Sequence, residues 1–189
     1  MTVFVRTSGG RNSYLIAPDT PGDAVLIDPF VLDVPFLELI EKNGLYVRSV
    51  LLTHPDEVFA RSISTIAKVY EIELYAAVAS FHGVRCESVV PGAELTLGDI
   101  GVGVLGVNEI ASSSVIYRIG PWLFTGDLLE AGMVGEEIDS FVHALVVPGL
   151  SEKLTKFPGY TPIFPHRGPP STAEIERTFN PLLAGSDDG

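Results

Sequence analysis

The order of apolar and polar positions predicts alternating strands and helices in the first half of the chain. Runs of β-forming residues, separated by turns rich in Gly, Pro and Asp, predict three strands before residue 28. Val34–Asn43 carries apolar residues at helical spacing, and Asn43-Gly44 favours the end of a helix. A mostly apolar run then predicts a strand that is covered on both faces. The predicted strands are Thr2–Val5, Ser13–Ala17, Ala24–Ile27 and Val47–Leu52.

At about residue 88 the sequence pattern changes from one typical of a strand–helix–strand unit to one typical of an antiparallel meander. Phe59–Tyr70 has helical periodicity and Leu74–Val78 has the pattern of a strand, so part of the sheet is expected to be parallel. Short strands at close spacing follow, separated by Gly and Pro turns, as in an antiparallel meander. Helices resume at Ser151–Lys156 and at Thr172–Asn180, the second with Ser171 or Thr172 as its N-cap. The meander strands are Ser88–Val90, Glu94–Leu97, Val102–Val107, Val115–Ile119 and Trp122–Thr125.

These elements predict one domain over residues 1–183, followed by a small, polar and flexible tail over 184–189. About ten strands with helices at intervals favour two packed sheets that carry helices on their outer faces.

Composition and charge narrow the classes of partner. Hydrophobic residues make up 46% of the 189 residues and charged residues 19%, which is typical of a compact globule. The formal net charge of −12 argues against binding to nucleic acid or to an anionic membrane. The single cysteine, and the lack of a long apolar run or an amino-terminal signal, lead us to expect a cytoplasmic protein. A small molecule or another protein is the expected partner.

The segment Val50–Phe59 is the most informative for chemistry. Its apolar run ends in Thr53-His54, as a buried strand does when it delivers a ligand to a site at its carboxyl end. A metal pair would need further imidazoles and a carboxylate directly afterwards. The chain supplies Asp56-Glu57 and then the apolar pair Val58-Phe59.

Five blocks in order resemble the metallo-β-lactamase superfamily, and most nearly its hydroxyacylglutathione-hydrolase-like branch. The resemblance extends from about Asn12 to Leu182, and it implies a four-layer αββα sandwich of two mixed β-sheets flanked by helices. It also implies a site along one edge between the sheets. The blocks are Asn12–Ile16, Val25–Pro29, Leu51–His54, Leu123–Leu128 and Pro165–Thr172.

Active members carry His-x-His-x-Asp-His after the strand, and this chain keeps only the first histidine, as His54. Asp56 takes the place of the second histidine, Val58 that of the aspartate and Phe59 that of the last histidine. The bridging aspartate of the family is matched by Asp127.

Two further ligand positions are also altered. Ile110 takes the place of the third histidine if there is no gap, and Glu109 takes it with a shift of one residue. The final histidine normally precedes Gly-Pro, where this chain has Arg167, with His166 one residue earlier.

The resemblance therefore implies at most one metal site. Two adjacent ions need about seven protein ligands, and Val58 and Phe59 cannot donate. His54, Asp56, Asp127 and Glu109 could still hold one zinc, manganese or iron ion. The expectation favoured here is that no cofactor is bound.

Arg167 has a different predicted role. A buried Asp127 without a metal needs a counter-charge, and the guanidinium of Arg167 could supply it as an ion pair. Together, Arg167 and His166 could instead bind an anionic ligand.

Two functions follow. The first is a non-catalytic, hydrolase-like protein that binds a small molecule or a partner chain. The alternative is a single-metal hydrolase of a thioester, ester or related bond, with Asp127 or Asp56 as the catalytic residue that orients a metal-activated water.

Overall fold

The computed structural model describes residues 1–107, 113–135 and 140–184, and their side chains except those of 140–145. A seven-stranded sheet and a six-stranded sheet form the centre of the fold. The strands of the first sheet are β1 (Thr2–Ser8), β2 (Arg11–Ala17), β3 (Asp23–Ile27), β4 (Tyr46–Leu51), β5 (Glu73–Ala76), β6 (Ser80–Phe81) and β7 (Val84–Ser88). The strands of the second sheet are β8 (Glu94–Leu97), β9 (Ile100–Leu105), β10 (Ile116–Ile119), β11 (Trp122–Gly126), β12 (Pro162–Pro165) and β13 (Ser171–Thr172).

Both sheets are mixed. The first has the order β1-β2-β3-β4-β5-β7-β6, and β4 runs parallel to β3 and β5, as the strand–helix–strand pattern predicts. In the second, β8 to β11 form the predicted antiparallel meander, while β12 pairs parallel with β11. One prediction was wrong: Ser88–Val90 does not begin the meander. Ser88 ends β7, which pairs parallel with β5 in the first sheet.

In the described part of the chain, four helices flank the sheets: α1 (Val34–Lys42), α2 (Ala60–Val69), α3 (Ser140–Thr155) and α4 (Ala173–Phe179). Asp33 caps the start of α1 through the backbone N–H of Phe36, and Thr172 caps α4 through that of Ile175. A short 3-10 turn over Glu57–Phe59 leads into α2. None of the described helices is long and apolar enough to cross a membrane.

Apolar side chains fill three layers of core. The first lies between the first sheet and α1 and α2, the second between the two sheets, and the third between the second sheet and α3 and α4. The molecule is therefore an αββα sandwich, as the resemblance implied. Representative buried residues of the three layers are Phe36 and Ile63, Tyr14 and Tyr117, and Leu123 and Leu150.

Candidate functional site

The parallel pairing of β3 and β4 brings Asp28 and Thr53 together at the carboxyl edge of the first sheet. Ile27 lies opposite Leu51, and the backbone N–H of Asp28 donates to Leu51 O at 3.0 Å. The fully buried Asp28 carboxylate then accepts from the Thr53 backbone N–H at 2.8 Å and from its hydroxyl at 2.6 Å. Burial raises the pKa of Asp28 to about 6, although these hydrogen bonds and the nearby His54 oppose the rise.

The same hydroxyl fixes the orientation of His54. Thr53 Oγ1 lies 2.8 Å from His54 Nδ1. Because the hydroxyl proton of Thr53 is directed at Asp28, its oxygen is left to accept a proton from Nδ1. The contact therefore favours the tautomer with the proton on Nδ1, which leaves Nε2 as the nitrogen with a free lone pair.

Asp127 and Asp56 approach opposite nitrogens of the His54 ring. Asp127 Oδ1 lies 3.7 Å from Nδ1, whereas Asp56 Oδ2 lies 3.9 Å from Nε2. Asp56 is also occupied as a cap, since its Oδ1 accepts from the Val58 backbone N–H at 3.0 Å. Burial raises the pKa of Asp127, and its Oδ1 has no hydrogen-bond partner among the described residues.

Phe59 occupies the centre of the site. Its ring is fully buried, and it meets the His54 and His166 rings edge to face, with centroid distances of 5.3 and 5.2 Å. The two imidazoles are 5.1 Å apart. A hydrocarbon ring thus packs against both histidines, at the position where the sequence resemblance implied the last histidine of the family motif.

His166 is buried and faces inward, although sequence spacing alone favoured Arg167 for this slot. Its backbone N–H donates to Gly126 O at 2.9 Å, and its carbonyl accepts from Asn12 N–H at 2.8 Å. Neither ring nitrogen has a hydrogen-bond partner in the described part of the chain. Burial lowers the pKa of His166 to about 3, helped by the neighbouring His54, Arg11 and Arg167, so the ring is neutral at pH 7.

The predicted ion pair between Arg167 and Asp127 is corrected by this geometry. Among the ion pairs of the described residues, Asp127 faces His54 and not Arg167. Arg167 is half-buried and forms a backbone bridge with Arg11 at the edge of the site, and it makes interactions of its own there. The residue that packs against His54 in this part of the site is the buried His166, and not Arg167.

Three residues of the site were not identified from the sequence. Asp28 and Thr53 orient His54. Arg11 places its guanidinium 5.2 Å from the centre of the Phe30 ring, and its buried Nε lacks a hydrogen-bond partner among the residues described. For Asp28 the sequence did hold a signal, namely the Asp28-Pro29 pair that directly follows an apolar strand. Glu109 and Ile110 lie outside the described residues.

Proteins of known sequence include several relatives of this chain. No family model matches it. An uncharacterized protein of Treponema pallidum is 29% identical over 174 residues, which span 89% of this chain and 90% of that protein. A hydroxyacylglutathione hydrolase-like protein of Gallus gallus is 27% identical over 159 residues, or 80% of this chain. The match covers only 55% of the Gallus protein's length.

Solved structures of other proteins superpose on this chain over almost its full length. ETHE1 from Myxococcus xanthus superposes with a TM-score of 0.84 at 22% identity, covering 98% of this chain and 85% of that one. The BLEG-1 B3 metallo-β-lactamase superposes with a TM-score of 0.80 at 20% identity, covering 93% and 95%. The chain has the metallo-β-lactamase fold. The fold that the resemblance of the five sequence blocks implied is thereby confirmed.

A metal is bound by at least one protein of this fold: TTHA1623, solved in a di-iron-bound form, has a TM-score of 0.79 at 24% identity, with 96% and 100% coverage. In the part of this chain that is described, no three His, Cys, Asp or Glu side chains are grouped so that they could hold an ion. The two nitrogens of one imidazole point in different directions, so an ion bound to His54 would face only one of the two carboxylates. The described residues do not fit the dinuclear site of the fold.

Proposed function

We propose that this hydrolase-like protein is a metal-free, non-catalytic relative of the metallo-hydrolases that uses the site edge to bind a small molecule. The observation that carries the proposal is the packing of the His54 and His166 rings against Phe59. A closed aromatic cluster takes the volume in which two ions and a reactive water would have to meet. Fold alone does not establish catalysis, because function depends on the groups in the site.

The polar atoms that remain support binding rather than chemistry. Among the described residues, His166 has two buried ring nitrogens without partners, and Arg11 has one buried nitrogen of this kind. Buried polar groups are nearly always hydrogen-bonded, so these atoms are suited to meeting a ligand or water. His166 and Arg167 stay our candidates for contacting an anionic group, and Arg11 joins them.

We favour a small molecule over a partner protein as the ligand, because a groove of ligand size adjoins this edge. The proposed location is the cytoplasm, and the free, buried Cys86 agrees with a reducing compartment.

Metal content measured by elemental analysis tests the proposal. The protein is purified without added metal, incubated with excess zinc, manganese or iron, and desalted. We expect less than about a tenth of an equivalent of each metal, because no described set of ligands converges. A stoichiometric ion in the wild-type protein would overturn the proposal and favour the single-metal hydrolase.

A variant with the family motif restored gives the positive control. Asp56→His, Val58→Asp and Phe59→His together add three donors to His54, Asp127 and His166. This variant should retain about one ion or more, since a catalytic zinc needs about three protein ligands. The matched control Asp56→Asn/Val58→Leu/Phe59→Leu alters the same positions without adding a metal ligand of the family, and it should stay metal-free.

A further inference from the structure

A groove beside the site has the properties of a ligand pocket. The loop after β3 and the start of α2 border a half-open groove with a volume of about 560 Å³. That volume lies within the range of about 300–1,000 Å³ that is usual for small-molecule sites. The residues that line it are Phe30, Val31, Leu32, Val58, Arg61, Ser62 and Thr65.

Most of the wall is apolar. Phe30, Val31, Leu32 and Val58 are half-buried, and three of them pack against the first core layer without being covered by it. Val58 also connects the groove to the candidate site, because the next residue, Phe59, contacts both histidines. A ligand with an apolar body would complete the burial of this wall.

The hydroxyl groups in the wall are already occupied. Ser62 Oγ donates to backbone carbonyls, among them Phe59 O at 3.0 Å, and Thr65 Oγ1 donates to Arg61 O at 2.9 Å. The guanidinium of Arg61 is therefore the polar group in the wall that is available to a ligand.

Arg61 has no counter-charge among the described residues, although the protein carries a net charge of −12. Several other cations of the described surface are paired, such as Arg6 with Asp33 and Arg118 with Glu94, whereas Lys42 and Lys68 share the lack of a partner with Arg61. The N-terminus of α2 adds a partial positive charge, since its first turn holds no acidic residue and no described side chain caps it, although Asp56 and Glu57 lie in the 3-10 turn just before it. Arg11 lies against the Phe30 ring, and its guanidinium also adds positive charge beside the groove.

We propose that this groove binds a small amphipathic carboxylate, whose apolar body lies against Phe30, Leu32 and Val58 while its carboxylate pairs with Arg61. A guanidinium and a carboxylate form strong, paired hydrogen bonds. The guanidinium of Arg61 would therefore favour a ligand that carries a carboxylate. The inference rests on the proposed function, because it assigns the class of ligand that the metal-free protein binds.

Titration calorimetry with octanoate tests the assignment. We expect saturable binding at one site, with octanol and octylammonium at least about tenfold weaker because they lack the charge that Arg61 pairs with. Arg61→Gln should weaken octanoate binding by about tenfold or more, and Arg61→Lys by less. The control Arg85→Gln makes the same change of charge at an exposed residue outside the groove and should stay within about twofold of wild type.

Several results would overturn the inference. These are no saturable binding of octanoate, equal binding of octanol, or unchanged binding in Arg61→Gln. Self-association that Arg61→Gln abolishes would identify a second copy of the chain as the occupant instead. Metal content is measured on the same samples, so the two proposals fail separately. Octanoate binding to a protein that holds metal refutes only the metal-free function, and a metal-free protein without octanoate binding refutes only the ligand class.

Discussion

At the scale of single residues, the site depends on how closely Gly126 approaches Thr53. Gly126 has a φ of +60°, and a Cβ atom placed on it would lie 2.1 Å from Thr53 Oγ1 and 3.3 Å from His54 Nδ1. A side chain there would push against the hydroxyl that links Asp28 to His54. The glycine thus allows the end of β11 to pack onto the end of β4.

Gly126→Ala is therefore expected to destabilise the protein strongly. The left-handed conformation costs a non-glycine residue about 1–2 kcal/mol, and the clash adds about 1–3 kcal/mol of overpacking. Chemical denaturation of Gly126→Ala and of Gly83→Ala separates the two effects. Gly83 has a φ of +80°, and a Cβ atom on it would meet no described atom within 4 Å. Equal losses in the two variants would show that the approach to Thr53 carries no cost.

The sequence identified most of the ionisable residues of the site but not their arrangement. His54, Asp56, Asp127 and His166 were named from matched positions, and the structure brings the other three around His54. The sequence favoured Arg167 for the final ligand position, whereas the structure packs His166 against His54. Which one faces inward depends on the backbone pairing of His166 with Gly126 and Asn12, which no local pattern reveals.

At the scale of elements, periodicity predicted α1 and α2 closely but only the end of α3. The prediction of Ser151–Lys156 missed the preceding turns because Pro148 and Gly149 are poor helix formers. The structure explains why residue 149 is a glycine, because a Cβ atom on it would lie 2.3 Å from Val107 O. The helix passes directly over the chain that leaves β9.

Gly149→Ala tests that packing. In an exposed helix the change would stabilise by about 1 kcal/mol, whereas here overpacking against a backbone oxygen costs about 1–3 kcal/mol. We expect a net loss in the free energy of unfolding, measured by urea denaturation. Thr155→Ala, at an exposed position of the same helix, should change it by no more than about 0.5 kcal/mol. A stabilised Gly149→Ala protein would show that α3 does not press on this segment.

At the scale of the whole molecule, the buried side chains of Tyr14 and Tyr117 link the two sheets across their shared core. Tyr14 in the first sheet donates to Pro165 O in the second, and Tyr117 in the second donates to Leu52 O beside the first. The bond from Tyr117 measures 3.1 Å, and its side chain is fully buried. Apolar contact alone would leave the relative position of the sheets weakly specified, while directional hydrogen bonds fix it.

Tyr117→Phe removes one of these links and keeps the ring. The Leu52 carbonyl then stays buried with its partner lost, and such a loss costs about 1–3 kcal/mol. Urea denaturation should show a lower midpoint with an unchanged slope, because the surface exposed on unfolding stays the same. Tyr160→Phe makes the same chemical change at a side chain that is 79% exposed, and it should alter stability by no more than about 0.5 kcal/mol. If the two variants are equally stable, the hydrogen bond between the sheets contributes nothing and the apolar layer alone holds the site edge in place.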